Sequence, residues 1–256
     1  TIAVVALLIV AVAARHPKLV NNPLFPLWET WTAQYEKSYS SPIEEVNRFL
    51  IWSENAEKVK LHNLRADFGL VGFTLKLNDL ADLTEDEYVA SRLGYSTRLP
   101  GKNGDVYTGE GGNAPSTQNW VPKGYVTPVK NQGQCGSCWS FSATGSFEGQ
   151  HFASAGKLVS LSEQQLVDCD QRCYGCNGGS MELAFKYWIN TEPKGAISEA
   201  AYPYTAKDGT CDTAGKEVVA TMSAFKGIAY GSESALLQAS GTIGPISVAI
   251  DASHYS

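Results

Sequence analysis

The chain has 256 residues, 43% of them apolar and 18% charged, enough to bury one large or two modest cores without relying on covalent staples. Its net charge of −6 is evenly shared, with 11 basic and 14 acidic side chains before residue 114 and 9 and 12 after it. Neither half carries a Lys/Arg run, which argues against nucleic acid or an anionic membrane surface as a partner.

Thr1 to Ala14 is almost wholly apolar and is stopped by Arg15-His16-Pro17. The run is shorter than the roughly 20 residues that span a bilayer. Residues 1–14 are therefore expected to be part of a secretory signal peptide, with the small residues Ala11, Ala13 and Ala14 at the cut and the true start lost. Residues 27–38 place Trp28, Trp31 and Tyr35 at helical spacing. A longer helix is expected from Pro42, through Ile43, Val46, Leu50, Val59 and Leu64. Val71–Leu77 alternates Val71, Phe73, Leu75 and Leu77 on one face, the pattern of a strand. Asp82–Tyr88 is expected to be helical, capped by Thr84 with Glu87 three residues on.

Residues 95–113 hold five glycines and Pro100 and are expected to form an exposed, cleavable connector. A second module is expected from Ala114. In it, helices should open at Cys138 (to about Gly156), after Ser162 (with Gln165 completing a capping box), over Ser180–Asn190, and from Ser232 to about Ser240. Ile246, Val248 and Ile250 alternate as a strand would.

All six cysteines (135, 138, 169, 173, 176 and 211) lie in the second module, and export through an oxidising compartment makes disulfides their default state. Three readings compete for Gln132-Gly133-Gln134-Cys135-Gly136-Ser137-Cys138-Trp139. A redox Cys-x-x-Cys wants a buried strand ahead of it, and Thr127–Asn131 supplies none. A zinc site could combine Cys135 and Cys138 with Cys169, Cys173 and Cys176, but that second cluster is not a plain pair of knuckles. The third reading makes Cys138 a nucleophile at a helix N-terminus, where the dipole and free backbone N–H groups favour an anionic sulfur.

Cys135-Gly136-Ser137-Cys138-Trp139 fits C-G-[SA]-C-[WY] and resembles the active-site block of the papain family. The likeness continues through Gly124–Gln132, Ser140–Gly145, Ser162–Gln164, Asp168–Asp170, Gly175–Gly179, Tyr202–Tyr204 and Gly244–Ile250. Met181, Glu182 and Ala184 resemble the cathepsin L branch. The resemblance implies an α+β protein: a helical inhibitory prodomain, then a papain-like two-lobe fold with its helical lobe present and its β-lobe cut short. It implies that Cys138 attacks a peptide carbonyl, and that the Gln132 side chain and the Cys138 N–H donate to the oxyanion. Gly178 and Gly179 would take an extended peptide, and Met181 and Ala249 would line an apolar pocket for its P2 side chain. Cys135–Cys176 and Cys169–Cys211 would be disulfides. Cys173 then stands outside the scheme, either a spare thiol or the partner of a residue beyond the end.

The first module resembles the propeptide of the same branch. Glu44, Arg48, Trp52, Asn55, Val59 and Asn63 follow the ERFNIN spacing, with Trp for Phe and Val for Ile, along one helix stripe. Of the later G-x-N-x-F-x-D element, Asn78 and Asp82 are kept, while Lys76 replaces Gly and Leu80 replaces Phe. The implied layout is a partial signal peptide (1–14), an inhibitory propeptide (15–113, helical over about 27–94, linker 95–113) and a catalytic domain (114–256). The partner His and Asn are expected about 130–150 residues after the nucleophile, or about positions 268–288, beyond Ser256. His151 falls inside the nucleophile's own helix, and His254, at a separation of 116, comes too early. The expected product is a cysteine endopeptidase zymogen of the secretory pathway, bound for a lysosome, digestive vacuole or the outside. It would be monomeric, with peptide or protein substrates, its own propeptide as inhibitor, and no metal or cofactor. This particular chain would not turn over without its base. The rival expectation is a non-catalytic product whose prosegment is a peptidase inhibitor.

Overall fold

The computed structural model describes residues 21–95, 105–109 and 113–253. The expected signal peptide, the middle of the linker and His254 lie outside the described residues. The chain forms two compact units that divide between Tyr88 and Val89.

The first unit is built on α1 (Phe25–Gln34) and α2 (Pro42–Asp67) and includes the first turn of α3 (Glu85–Arg92). Pro42 at the first position and the Ser41 hydroxyl, which accepts from the Glu44 N–H at 3.2 Å, start α2 where the sequence indicates. Its core is aromatic: Phe25, Trp28, Trp31, Phe49 and Trp52 are buried together with Ala81. Trp28 is the hub, with ring contacts to Trp31, Tyr39, Phe49 and Trp52. Trp52 fills its place in the stripe but leaves its buried indole N–H without a partner among the described residues, a group a phenylalanine would not carry.

Residues 71–77 do not form the expected strand. Alternation names a face but not a ladder partner. Here Asn63 of α2 takes the partner's role, accepting from the Leu75 N–H at 2.7 Å and donating to its carbonyl at 2.8 Å. Two bonds from one side-chain amide satisfy Leu75 as a neighbouring strand would. The capping box of α3 forms as read: Thr84 Oγ1 accepts from the Glu87 N–H, and Glu87 Oε2 accepts from the Thr84 N–H. The helix therefore begins at Glu85 rather than Asp82. Glu87 also pairs with Arg48 at 2.7 Å, and that guanidinium holds its carboxyl below the usual range.

The second unit centres on α4 (Cys138–Ala155), packed against α5 (Glu163–Cys169) and α6 (Met181–Asn190). Gly156 ends α4 in the left-handed conformation, at φ +68°. Trp139, Ala143, Phe147, Leu161, Leu166, Ala184 and Trp188 form the core between these helices. At α5 only half of the expected capping box forms. The Ser162 hydroxyl accepts from the Gln165 N–H at 3.0 Å, but the Gln165 side chain turns inward, donating to the Gly195 carbonyl and accepting from the Ile197 N–H. The buried backbone of the next segment has the stronger need for that amide.

Sheet structure is sparse among the described residues. β1 (Asp105–Tyr107) lies parallel to β4 (Lys226–Ile228), and β2 (Ala196–Ile197) is antiparallel to β3 (Val218–Ala220). β1 belongs to the stretch expected to be a free connector, so part of that connector is held by a backbone ladder. α7 (Glu233–Thr242) is capped by Ser232 as read. Residues 246–250 are not a strand: Val248 and Ile250 are exposed, and Val248 pairs its N–H and carbonyl with the Ser142 hydroxyl instead.

Under α4, Lys130 bridges two carboxylates, Glu148 at 2.9 Å and Glu163 at 2.6 Å. One buried cation cannot neutralise two buried anions, and one Glu163 oxygen has no partner among the described residues. Burial pushes the Glu163 carboxyl up to about 7, against the opposing pull of Lys130. Because the folded state then holds this proton more tightly than the unfolded chain, its stabilisation is full below about pH 4.5 and is lost as pH rises through about 7. Glu163→Gln should remove that slope. The difference in melting free energy between the parent and the variant should move by about 2 kcal/mol in the variant's favour between pH 4.5 and 7. Parallel melting curves over that range would contradict it.

Candidate active site

Cys138 is the first residue of α4 and is partly exposed. The loop before it is fixed by the Cys135–Cys176 disulfide and by the Gly136 N–H donating to the Cys176 carbonyl at 2.8 Å. Cys169–Cys211 is the second bond, so both pairings implied by the resemblance are present. The dithiol reading falls, because Cys135 is bonded to Cys176 and not available to Cys138. The zinc reading falls with it: four of the cysteines are oxidised, and no metal-holding group of His, Cys, Asp and Glu occurs among the described residues.

Gln132 approaches from the preceding loop. Its Nε2 donates to the Cys135 carbonyl at 2.9 Å, which ties the amide to the nucleophile's loop, and to the Arg92 carbonyl at 2.8 Å. The Arg92 guanidinium bonds back to the Gly133 carbonyl. Two residues further on, the Gly94 carbonyl accepts from the Gly179 N–H at 2.8 Å, and Tyr95 bridges Gly179. The end of α3 and residues 93–95 therefore run along a wall of Gln132, Gly136, Gly178 and Gly179. Gly179 must be glycine: a Cβ there would stand 2.5 Å from the Trp139 indole. Nothing in the apolar pattern signals residues 92–95, because their contacts run through backbone carbonyls.

Met181 opens α6 two residues after Gly179 and packs partly buried against the core. Ala249 is exposed on the 244–250 segment, whose Val248 is tied to Ser142, one turn along α4 from Cys138. Cys173 is buried behind the wall: its sulfur would be 2.8 Å from a Cβ on Gly179 and lies 3.6 Å from Asp170 Oδ2. Burial, reinforced by the Asp170 charge, pushes this thiol up to about 12, so it stays protonated and inert. His151 lies thirteen residues along the same helix as Cys138, about 20 Å away at 1.5 Å per residue. That separation removes it as a proton acceptor for the thiol. His254 lies outside the described residues.

The propeptide stripe is placed by α2. Arg48 donates to the Asp82 carbonyl and to Glu87, and Asn55 donates to the Ala81 and Leu83 carbonyls. Asn63 holds Leu75, Trp52 is in the core, Val59 is half-buried, and Glu44 accepts from Ser40. Asn78 offers its carbonyl to the Trp31 indole, and Asp82 is buried between Lys37 and Tyr39. Among the described residues, no helix is long and apolar enough to cross a membrane.

Residues 114–256 match the model of the papain family cysteine proteases, and residues 28–88 match the cathepsin propeptide inhibitor domain (I29). A cathepsin L-like peptidase of Aedes aegypti is 43% identical over 99% of this chain and 77% of its own length. Procathepsin L of Rattus norvegicus is 43% identical over 98% and 74%. Among solved structures, digestive procathepsin L 3 of the Tenebrio molitor larval midgut superposes with a TM-score of 0.78 at 36% identity, over 88% of this chain and 72% of that one. The chain belongs to the papain family of cysteine proteases, and carries a cathepsin-type propeptide inhibitor domain ahead of its catalytic domain.

Proposed function

We propose that Cys138 is the thiol nucleophile of an endopeptidase that cleaves peptide bonds through a thioester. In this reading the Gln132 Nε2 and the Cys138 N–H donate to the oxyanion formed when the sulfur adds to the carbonyl. The single observation that supports it most is chain backbone lying on the Gln132 amide and on the Gly179 rail. The Arg92 carbonyl occupies the Gln132 amide and the Gly94 carbonyl occupies the Gly179 N–H, as substrate carbonyls would. Gly178 and Gly179 are read as the rail for an extended substrate, and Met181 and Ala249 as walls of an apolar pocket for its P2 side chain. Residues up to about 113 are the propeptide, removed at acidic pH, and the catalytic domain starts near Ala114. The mature protein is read as a monomer acting on peptides or proteins after export, in a lysosome, a digestive vacuole or outside the cell.

A peptidyl epoxide tests the assignment. Labelling of the acid-treated protein, mapped by mass spectrometry, should fall on Cys138 and disappear in Cys138→Ala. A label on Cys173 or elsewhere, or one retained by the variant, would remove Cys138 from the role.

A further inference from the structure

We infer that Tyr204 is a positioning residue of the oxyanion site, its hydroxyl holding the Gln132 backbone and the Ser137 turn before Cys138 in one fixed arrangement. The inference rests on the reading of Cys138 and Gln132 just given. The Tyr204 hydroxyl donates to the Gln132 carbonyl at 2.8 Å. A phenol has one hydrogen, so Ser137 Oγ, 2.5 Å away, is the donor to the phenol oxygen. One hydroxyl thus joins the residue whose amide faces the oxyanion to the residue on which α4 begins.

The state of Ser137 is the second observation. It is fully buried and is the N-cap of α4, a place where serine ordinarily accepts from an N–H of the first turn. Here it makes no capping bond. Its hydroxyl serves Tyr204 instead, so the residue before Cys138 is tied to the Gln132 loop and not to its own helix. Tyr204 is itself fixed, with its ring edge-on to Phe141 at 4.9 Å and its N–H donating to Glu199 at 2.8 Å. Burial pushes its hydroxyl up, so it remains a donor at acidic and neutral pH.

The test compares two reactions of Cys138 after an added peptidase has removed the propeptide at acidic pH. Iodoacetamide alkylates the sulfur without forming an oxyanion. A peptide aldehyde adds to it and forms one, and its affinity is read from protection against iodoacetamide. Tyr204→Phe keeps the ring on Phe141 and removes both hydroxyl bonds. It should weaken aldehyde affinity about tenfold, less than the hundredfold or more that deleting an oxyanion donor costs. Its alkylation rate should stay within about twofold, with the melting temperature confirming a folded protein. Ser137→Ala, which breaks only one of the two bonds, should shift the same ratio in the same direction by a smaller factor, and it carries the test if Tyr204→Phe does not fold. Equal effects on the two reagents, or an unchanged aldehyde affinity, would overturn the role of Tyr204. Failure of the aldehyde to protect Cys138 in the parent protein would instead bring down the active-site reading, and this inference with it.

Discussion

Replacing Gly94 with alanine is expected to lift residues 92–95 off the wall beside Cys138 and to open the thiol to reagents at neutral pH. A Cβ at residue 94 would stand 1.7 Å from the Gly136 carbonyl oxygen and 2.5 Å from its carbon, and both atoms are backbone. The wall cannot retreat, since Gly136 donates to the Cys176 carbonyl and the adjacent Cys135 is bonded to Cys176. The mobile partner is the segment carrying the new methyl. Moving it breaks the bond from the Gly179 N–H and weakens the one from the Gln132 amide, each worth about 1 kcal/mol net. Together they imply a rise of roughly 10- to 30-fold in the population with a clear groove. The rate of Cys138 labelling by a peptidyl epoxide in the uncleaved chain should rise by that factor. The residue is not in the left-handed region, so the effect is contact with the wall and not backbone strain. An unchanged labelling rate in a protein with the parent's melting curve would show that this segment does not block the site.

Residue pattern and physical cause coincide most closely in the helices. Ser41-Pro42, Thr84 with Glu87, and Ser232 are local signals whose partners lie within one turn, so the sequence carries all the information needed. The strands are different. Val71–Leu77 and Ile246–Ile250 alternate correctly, yet their backbone groups meet Asn63 and Ser142, residues that no alternation can announce. The site divides the same way. Cys138, Gln132 and Cys135 sit in a compact block whose side-chain identities are the signal, and the disulfide pairings, between cysteines 41 and 42 positions apart, follow from the resemblance of several blocks. Tyr204 lies in a recognisable block too, but its role depends on a hydroxyl meeting two loops 67 and 72 residues away. Residues 92–95 act largely through carbonyl oxygens, which every residue possesses; beside the Arg92 guanidinium on the Gly133 carbonyl, the absence of a side chain at Gly94 marks the approach.

In the first unit the largest loss is expected from Asp82→Ala. Asp82 is buried, accepts from Lys37 Nζ at 2.8 Å and from the Tyr39 hydroxyl at 2.9 Å, and offers its backbone carbonyl to Arg48. It therefore joins the α1–α2 connection to the segment leading into α3. Lys37 also lies over the Trp31 ring at 5.1 Å, so the ion pair is continuous with the aromatic core. Removing one partner of a buried pair costs about 3–5 kcal/mol, and the partly exposed Lys37 side chain places this case near the lower figure. For a unit of this size that lowers the melting temperature by more than about 10 °C. Asp82→Asn keeps the shape and one acceptor oxygen, and should cost about half as much. If charge matters beyond packing, the two variants separate in calorimetry of the full chain, and the separation shrinks in high salt. Equal losses of under about 1 kcal/mol would mean that Asp82 only fills space.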